Sequence, residues 1–240
     1  MSKWMVELKG ERADFKYIQN MLCSSELGVI EENGKFYLRA AKFDTLSSLY
    51  DVRAQAKALL QYLNGAAKLE SQSFQTVELG SAVKEGDKVH RVLELGVGWS
   101  RSWGSTIIVK HGEQVPSKSP EEENELTAVE RYMVVAKECP EVAKVLGLLA
   151  SEETTSWGTL YKVYEVVRSD VGGAMYKNEW IGESEERLFK RTANSPVAIG
   201  DEAARHGYQK EQPPPNPMSL TQARSLIANL VKRWILSKCS

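Results

Sequence analysis

A chain of 240 residues that is 42% hydrophobic and 26% charged has room for two cores and is too apolar to be disordered throughout. No apolar run reaches the ~20 residues that a membrane-spanning helix needs, and a net charge of −1 exerts no general pull on nucleic acid. Met1-Ser2-Lys3-Trp4 lacks the apolar core of a signal peptide, so a cytoplasmic location is expected, with Cys23, Cys139 and Cys239 as free thiols and with neither metal nor cofactor.

In chain order, Trp4 to Leu8 predicts a strand that stops at Gly10. Asp14 is placed to cap a short helix carrying Phe15, Ile18 and Leu22. Val29-Ile30 and Phe36-Tyr37-Leu38 flank Asn33-Gly34, the strongest short hairpin signal. Leu49, Val52, Ala56, Leu59, Leu60 and Leu63 recur at helical spacing, and Asn64-Gly65 offers a left-handed end to that helix. Phe74–Leu79, Val89–Val97 and Ser105–Val109 predict strands, with turns at Glu85-Gly86-Asp87 and Gly98–Gly104. Turns this short join antiparallel neighbours, because a parallel crossover needs a dozen residues or more.

His111 to Pro120 is polar and holds two prolines, which marks a boundary. Ser119-Pro120-Glu121-Glu122 then offers a capping box. Leu126, Val129, Met133 and Ala136 predict one helix, and Pro140 starts a second that ends near Ala150. Trp157, Leu160, Tyr161, Tyr164 and Val167 predict a third, and Leu188, Phe189 and Thr192 a fourth. The aromatics of the third read as core, with Lys162, Glu165 and Arg168 facing water. After the stiff run Pro213–Pro217, Ser219 and Gln222 form a capping box for a last helix carrying Ala223, Ile227, Leu230, Val231 and Trp234.

The expected fold class is therefore α+β: an N-terminal antiparallel sheet with two helices over residues 1–112, a linker at 113–120, and an all-α helical bundle over 121–240. Charge is uneven along it. Residues 1–112 carry 15 basic and 13 acidic groups, 113–153 carry 4 and 10, and 154–240 carry 12 and 9. The acidic run reads as a solvated face, or as a surface for a basic partner.

Two stretches have chemistry to offer. Gly96-Val97-Gly98 lacks the third glycine and the following helix of a dinucleotide fingerprint, so a nucleotide fold is excluded. In the same loop Trp99, Arg101 and Trp103 form an aromatic and cationic set suited to stacking on bases, or to packing on the neighbouring domain. The second stretch, Thr192 to Gly207, is small and polar between apolar helices, where unpaired polar groups are costly. Its Arg205 is suited to a phosphate, His206 to moving a proton near neutral pH, and Asn194 to orienting a phosphate. Asp201 can cap a short helix beside them and joins the binding set. On a purely architectural reading, Asp201 caps, Asn194-Ser195-Pro196 turns, and Arg205 with His206 complements helix carbonyls.

Trp157 with Leu160–Glu165, the Asn194…Arg205-His206 stretch, Pro217–Leu220 and the closing helix together resemble bacterial HEPN-like helical domains over roughly the last 90 residues. That resemblance implies a homodimer whose two Arg/His motifs share a cleft. It implies metal-independent RNA cleavage or RNA binding in a defence or toxin-type system, with Arg205, His206 and Asn194 as catalytic residues. Arg205 and His206 are adjacent in this chain, whereas the family places its Arg and His several positions apart. The N-terminal domain would then meet a protein partner. The alternative expectation is a non-catalytic interaction or dimerisation module.

Overall fold

A computed structural model of the chain describes residues 3–92, 126–151, 156–200, 203–204 and 212–239. The described elements of the first half are β1 (Trp4–Lys9), α1 (Arg12–Met21), β2 (Leu27–Glu32), β3 (Lys35–Ala40), α2 (Leu49–Glu70), β4 (Glu78–Glu85) and β5 (Lys88–Arg91). Helices follow: α3 (Ala128–Glu138), α4 (Pro140–Ala150), α5 (Trp157–Val171), the single turn α6 (Ala174–Lys177), α7 (Glu183–Ala193), the single turn α8 (Pro196–Ile199) and α9 (Leu220–Leu236). The fold is α+β, as the sequence predicts. Its five strands pair antiparallel in the order β2-β3-β1-β4-β5.

The β2–β3 hairpin turns through Asn33 and Gly34, both at positive φ, which fixes Glu32 opposite Lys35 and Val29 opposite Leu38. Val6, Leu8, Val29, Leu38 and Val83 are buried from the sheet, and Phe15 and Ile18 from α1. The expected turn at Glu85–Asp87 joins β4 to β5.

Four local expectations are corrected. Asp14 lies inside the first turn of α1 rather than at its cap, and its Oδ1 accepts from the Gln75 backbone N–H at 3.0 Å. The Asn64-Gly65 pair does not end α2, which runs on to Glu70. The expected strand at Phe74–Leu79 begins only at Glu78, because side chains occupy the backbone before it: Asn64 Oδ1 accepts from Val77 N–H at 3.0 Å, and Asn64 Nδ2 donates to Val77 O at 2.7 Å. Leu126 precedes α3 and is 39% exposed. The cap of α3 is Thr127, whose Oγ1 accepts from Glu130 N–H while the Glu130 carboxylate accepts from Thr127 N–H. Ser119–Glu122, the expected linker 113–120, the turn Gly98–Gly104, the strand Ser105–Val109 and the expected extension of β5 to Val97 lie outside the described residues.

Asn64-Gly65 stays helical because α2 needs both residues for packing. Leu63 through Ala67 are all buried, so this part of α2 is covered all round. It packs against β1 and β4 of the sheet and against α4. A β-carbon built at Gly65 would stand 2.1 Å from the Leu146 carbonyl oxygen of α4. Across the same crossing, a β-carbon at Gly147 would stand 3.0 Å from Gln61 Nε2. Gly65 thus permits the backbones to approach, whereas Gly147 faces only the movable end of the Gln61 side chain, and the apolar core runs without a break from β1 to α9.

Carboxylates far from one another in sequence pin the joints. Glu130 Oε1 accepts from Cys23 N–H at 2.9 Å and Ser24 N–H at 2.7 Å, holding the loop after α1 onto α3. Burial alone would raise the Glu130 carboxyl, but these backbone donors and Thr127 hold it below the ordinary value. Glu70, at the end of α2, accepts from the Tyr132 hydroxyl of α3 at 2.7 Å and from Lys232 of α9 at 3.0 Å.

Gly65→Ala is expected to lower the unfolding free energy by roughly 3 kcal/mol, since the displaced atoms are backbone and cannot swing aside. Equilibrium urea denaturation checks this. A loss under about 1 kcal/mol would mean that the helices do not approach this closely.

Candidate functional site

Asn194 is the one expected site residue whose surroundings are described. Arg205, His206, Asp201, Trp99, Arg101 and Trp103 lie outside the described residues. The site is therefore built from the end of α7 upward.

α7 opens with Glu183, Glu185 and Glu186 and closes with Lys190 and Arg191, so its charges complement the helix dipole at both ends. Its buried stripe is Glu186, Phe189, Thr192 and Ala193. Phe189 stacks on Tyr161 with ring centroids 5.9 Å apart and meets Tyr164 edge-on at 5.6 Å. Trp157, Tyr161 and Tyr164 are buried, while Lys162, Glu165 and Arg168 are exposed, as the sequence predicts.

Sequence reasoning missed Glu186. It is buried on this aromatic face and accepts from the Tyr164 hydroxyl and from Lys190 Nζ at 3.0 Å. Arg168, on α5, donates to the Tyr164 oxygen at 3.0 Å and lies 3.6 Å from the carboxylate. Burial would raise Glu186; Tyr164, Lys190 and Tyr176 together hold it below the ordinary carboxylate value. Burial and the Glu186 carboxylate push the Tyr164 phenol up. A signal was available, because Glu186 lies three residues before Phe189 and four before Lys190 on one helical face. Its polar atoms are satisfied, and the network acts as a buried clasp between α5 and α7.

The next turn of α7 behaves differently. Thr192 is fully buried; its Oγ1 donates to Leu188 O at 2.8 Å and accepts from Met218 N–H at 3.1 Å. Arg191 Nη2 donates to Gln212 O at 3.1 Å. Two side chains at the end of α7 thus hold the backbone just before α9. Asn194 caps the helix, its N–H donating to Lys190 O at 3.1 Å. Ser195 then turns the chain into α8, and its carbonyl accepts from Ala198 N–H at 3.0 Å.

At this corner three buried polar atoms have no hydrogen-bond partner among the described residues: Arg191 Nε, Asn194 Oδ1 and Ser195 Oγ. Ser195 is only 1% exposed. Leaving such a group unpaired costs about 1–3 kcal/mol, and native proteins leave few. Within five residues the corner combines two groups able to donate to an anionic oxygen, Arg191 Nε and the Ser195 hydroxyl, with one acceptor, Asn194 Oδ1, and these three side chains offer no acid or base. Among the described residues, no three His, Cys, Asp or Glu side chains are grouped to hold a metal, and no helix is long and apolar enough to cross a membrane.

Compared with known proteins, the chain matches no family model, no curated protein and no solved structure.

Ser195→Ala is expected to leave stability unchanged or raise it by about 1 kcal/mol, because it removes a buried hydroxyl that has no partner among the described residues. Thermal and urea unfolding measure this. A loss of 1 kcal/mol or more would show that the hydroxyl is bonded in the folded chain.

Proposed function

We propose that this chain binds RNA and cleaves it without a metal, through the corner at the end of α7 and the Arg205-His206 pair that follows it in sequence, in a bacterial defence or toxin-type system. The observation that carries this reading is the group of buried polar atoms on Arg191, Asn194 and Ser195 that have no partner among the described residues, which falls within and beside the stretch whose sequence resembles HEPN-like domains.

The chemistry fits the residue types. His206 takes the 2′-hydroxyl proton as that oxygen attacks phosphorus, and a protonated His206 returns a proton to the departing 5′-oxygen. Arg205 balances the charge that develops on the phosphoryl oxygens, and Asn194 orients the phosphate. A homodimer would bring two such histidines to one cleft, one to accept the proton and one to give it.

A second reading rests on Val197, which is 81% exposed on α8 beside the corner. An apolar side chain so placed suits docking of a protein surface, in which case the helical half is a non-catalytic interaction module.

Total RNA and tRNA incubated with the purified chain in EDTA should be cut. Arg205→Ala and His206→Ala should each lower the rate by about 100-fold or more, and Ser195→Ala should weaken RNA binding without loss of fold. RNA that is neither bound nor cut, or cutting indifferent to both substitutions, contradicts the proposal; a stable dimer that ignores RNA favours the second reading.

A further inference from the structure

The three buried atoms of the α7 corner that lack a partner among the described residues do not all ask for the same one. Arg191 Nε and the Ser195 hydroxyl have hydrogens to donate, whereas Asn194 Oδ1 can only accept. Asn194 follows Arg191 by three residues at the end of α7, a spacing that puts β-carbons about 5–6 Å apart on one helical face, and Ser195 is the next residue. The planar Arg191 guanidinium is held by the bond from its Nη2 to Gln212 O at 3.1 Å, which sets the direction of Nε. Arg191 and Asn194 are half-buried, so the corner is reached from solvent along their side chains, and Ser195 is buried.

A bare anion answers only part of this set. It accepts from Arg191 and Ser195, but it offers no hydrogen to Asn194 Oδ1, whose lone pairs it repels. The group that fits carries anionic oxygens and, beside them, an O–H donor. Along a nucleic-acid backbone that combination occurs in RNA, where the ribose 2′-hydroxyl neighbours the 3′-phosphate. DNA has the phosphate without the hydroxyl.

Resting on the RNA-binding reading of this corner, we infer that Asn194 Oδ1 accepts a hydrogen bond from a ribose 2′-hydroxyl while Arg191 Nε and Ser195 Oγ donate to the adjoining phosphate, so that the corner tells RNA from DNA. Phosphate contacts alone carry no such discrimination; the hydroxyl does. The Asn194 amide serves both neighbours, its N–H side the phosphate and its oxygen the hydroxyl. The hydroxyl held here belongs to a nucleotide other than the one cut, because the attacking 2′-oxygen gives its proton to His206.

Fluorescence anisotropy of the full chain carrying His206→Ala, which leaves the RNA intact, compares a short single-stranded RNA with 2′-fluoro RNA and with DNA of the same sequence. The 2′-fluoro sugar keeps the pucker of ribose and lacks the O–H. RNA is expected to bind about fivefold or more tightly than either analogue, the factor gained when a buried acceptor finds its donor. Asn194→Leu should bring RNA down to the level of 2′-fluoro RNA. Asn194→Asp keeps an acceptor in place beside the phosphate, so it should weaken all three ligands yet preserve the preference for RNA. Circular dichroism confirms the fold of each variant, and Asn194→Ala replaces the leucine variant if that one does not fold. RNA and 2′-fluoro RNA bound equally, a preference that survives Asn194→Leu, or one lost in Asn194→Asp overturns the inference and leaves RNA binding standing. No binding of any of the three overturns both the inference and the reading on which it rests.

Discussion

The close approach of α2 to α4 at Gly65 and Leu146 is the constraint on which the rest of the molecule depends. With 2.1 Å between a would-be β-carbon and a carbonyl oxygen, only glycine fits at that point. α2 packs against both the sheet and the helices α3 and α4, so one helix supplies apolar surface to both. Asn64, one residue earlier, uses its amide on both backbone groups of Val77 and so sets where β4 begins. Two adjacent residues thereby fix the helix crossing and the sheet entry together.

Around that crossing, buried and half-buried carboxylates join segments distant in sequence. Glu130 ties α3 to the loop after α1, Glu70 ties α2 to α3 and α9, and Glu186 ties α7 to α5. Each carboxylate has several donors, which is what makes its burial tolerable. The end of α7 departs from this pattern. Arg191, Asn194 and Ser195 leave buried atoms without a partner among the described residues, one turn beyond a network that is fully bonded. Three such atoms within five residues, with Arg224 Nε the one other among the described residues, are the physical ground for looking there for a function.

Much of the architecture was legible in the sequence because its signals are local. The Asn33-Gly34 turn, Pro140 at the start of α4, the aromatic stripe of α5 and the Ser219–Gln222 capping box each depend on a few neighbouring residues, and each is present. What failed depended on residues far away. Asn64-Gly65 carries the local signature of a helix end, and only α4, some eighty residues on, explains why the helix continues. Asp14 looks like a cap until Gln75 claims it. Glu186 reads as one of three acidic residues opening a helix, and its burial follows from Tyr164 and Phe189 on its inner side. Within the candidate stretch the sequence names Asn194 but singles out neither Arg191 nor Ser195, whose buried atoms without a partner among the described residues only the three-dimensional packing reveals.

Because the core is continuous from β1 to α9, the sheet and the helices should lose structure together. Native-state hydrogen exchange in increasing denaturant measures this most directly. A shared core predicts that the slowest amides of β1 and β4 and those of α4 and α5 exchange with the same free energy and the same denaturant dependence. Helix amides that remain protected under conditions where the sheet exchanges freely would show two separate cores, and would contradict the central role of the α2–α4 crossing.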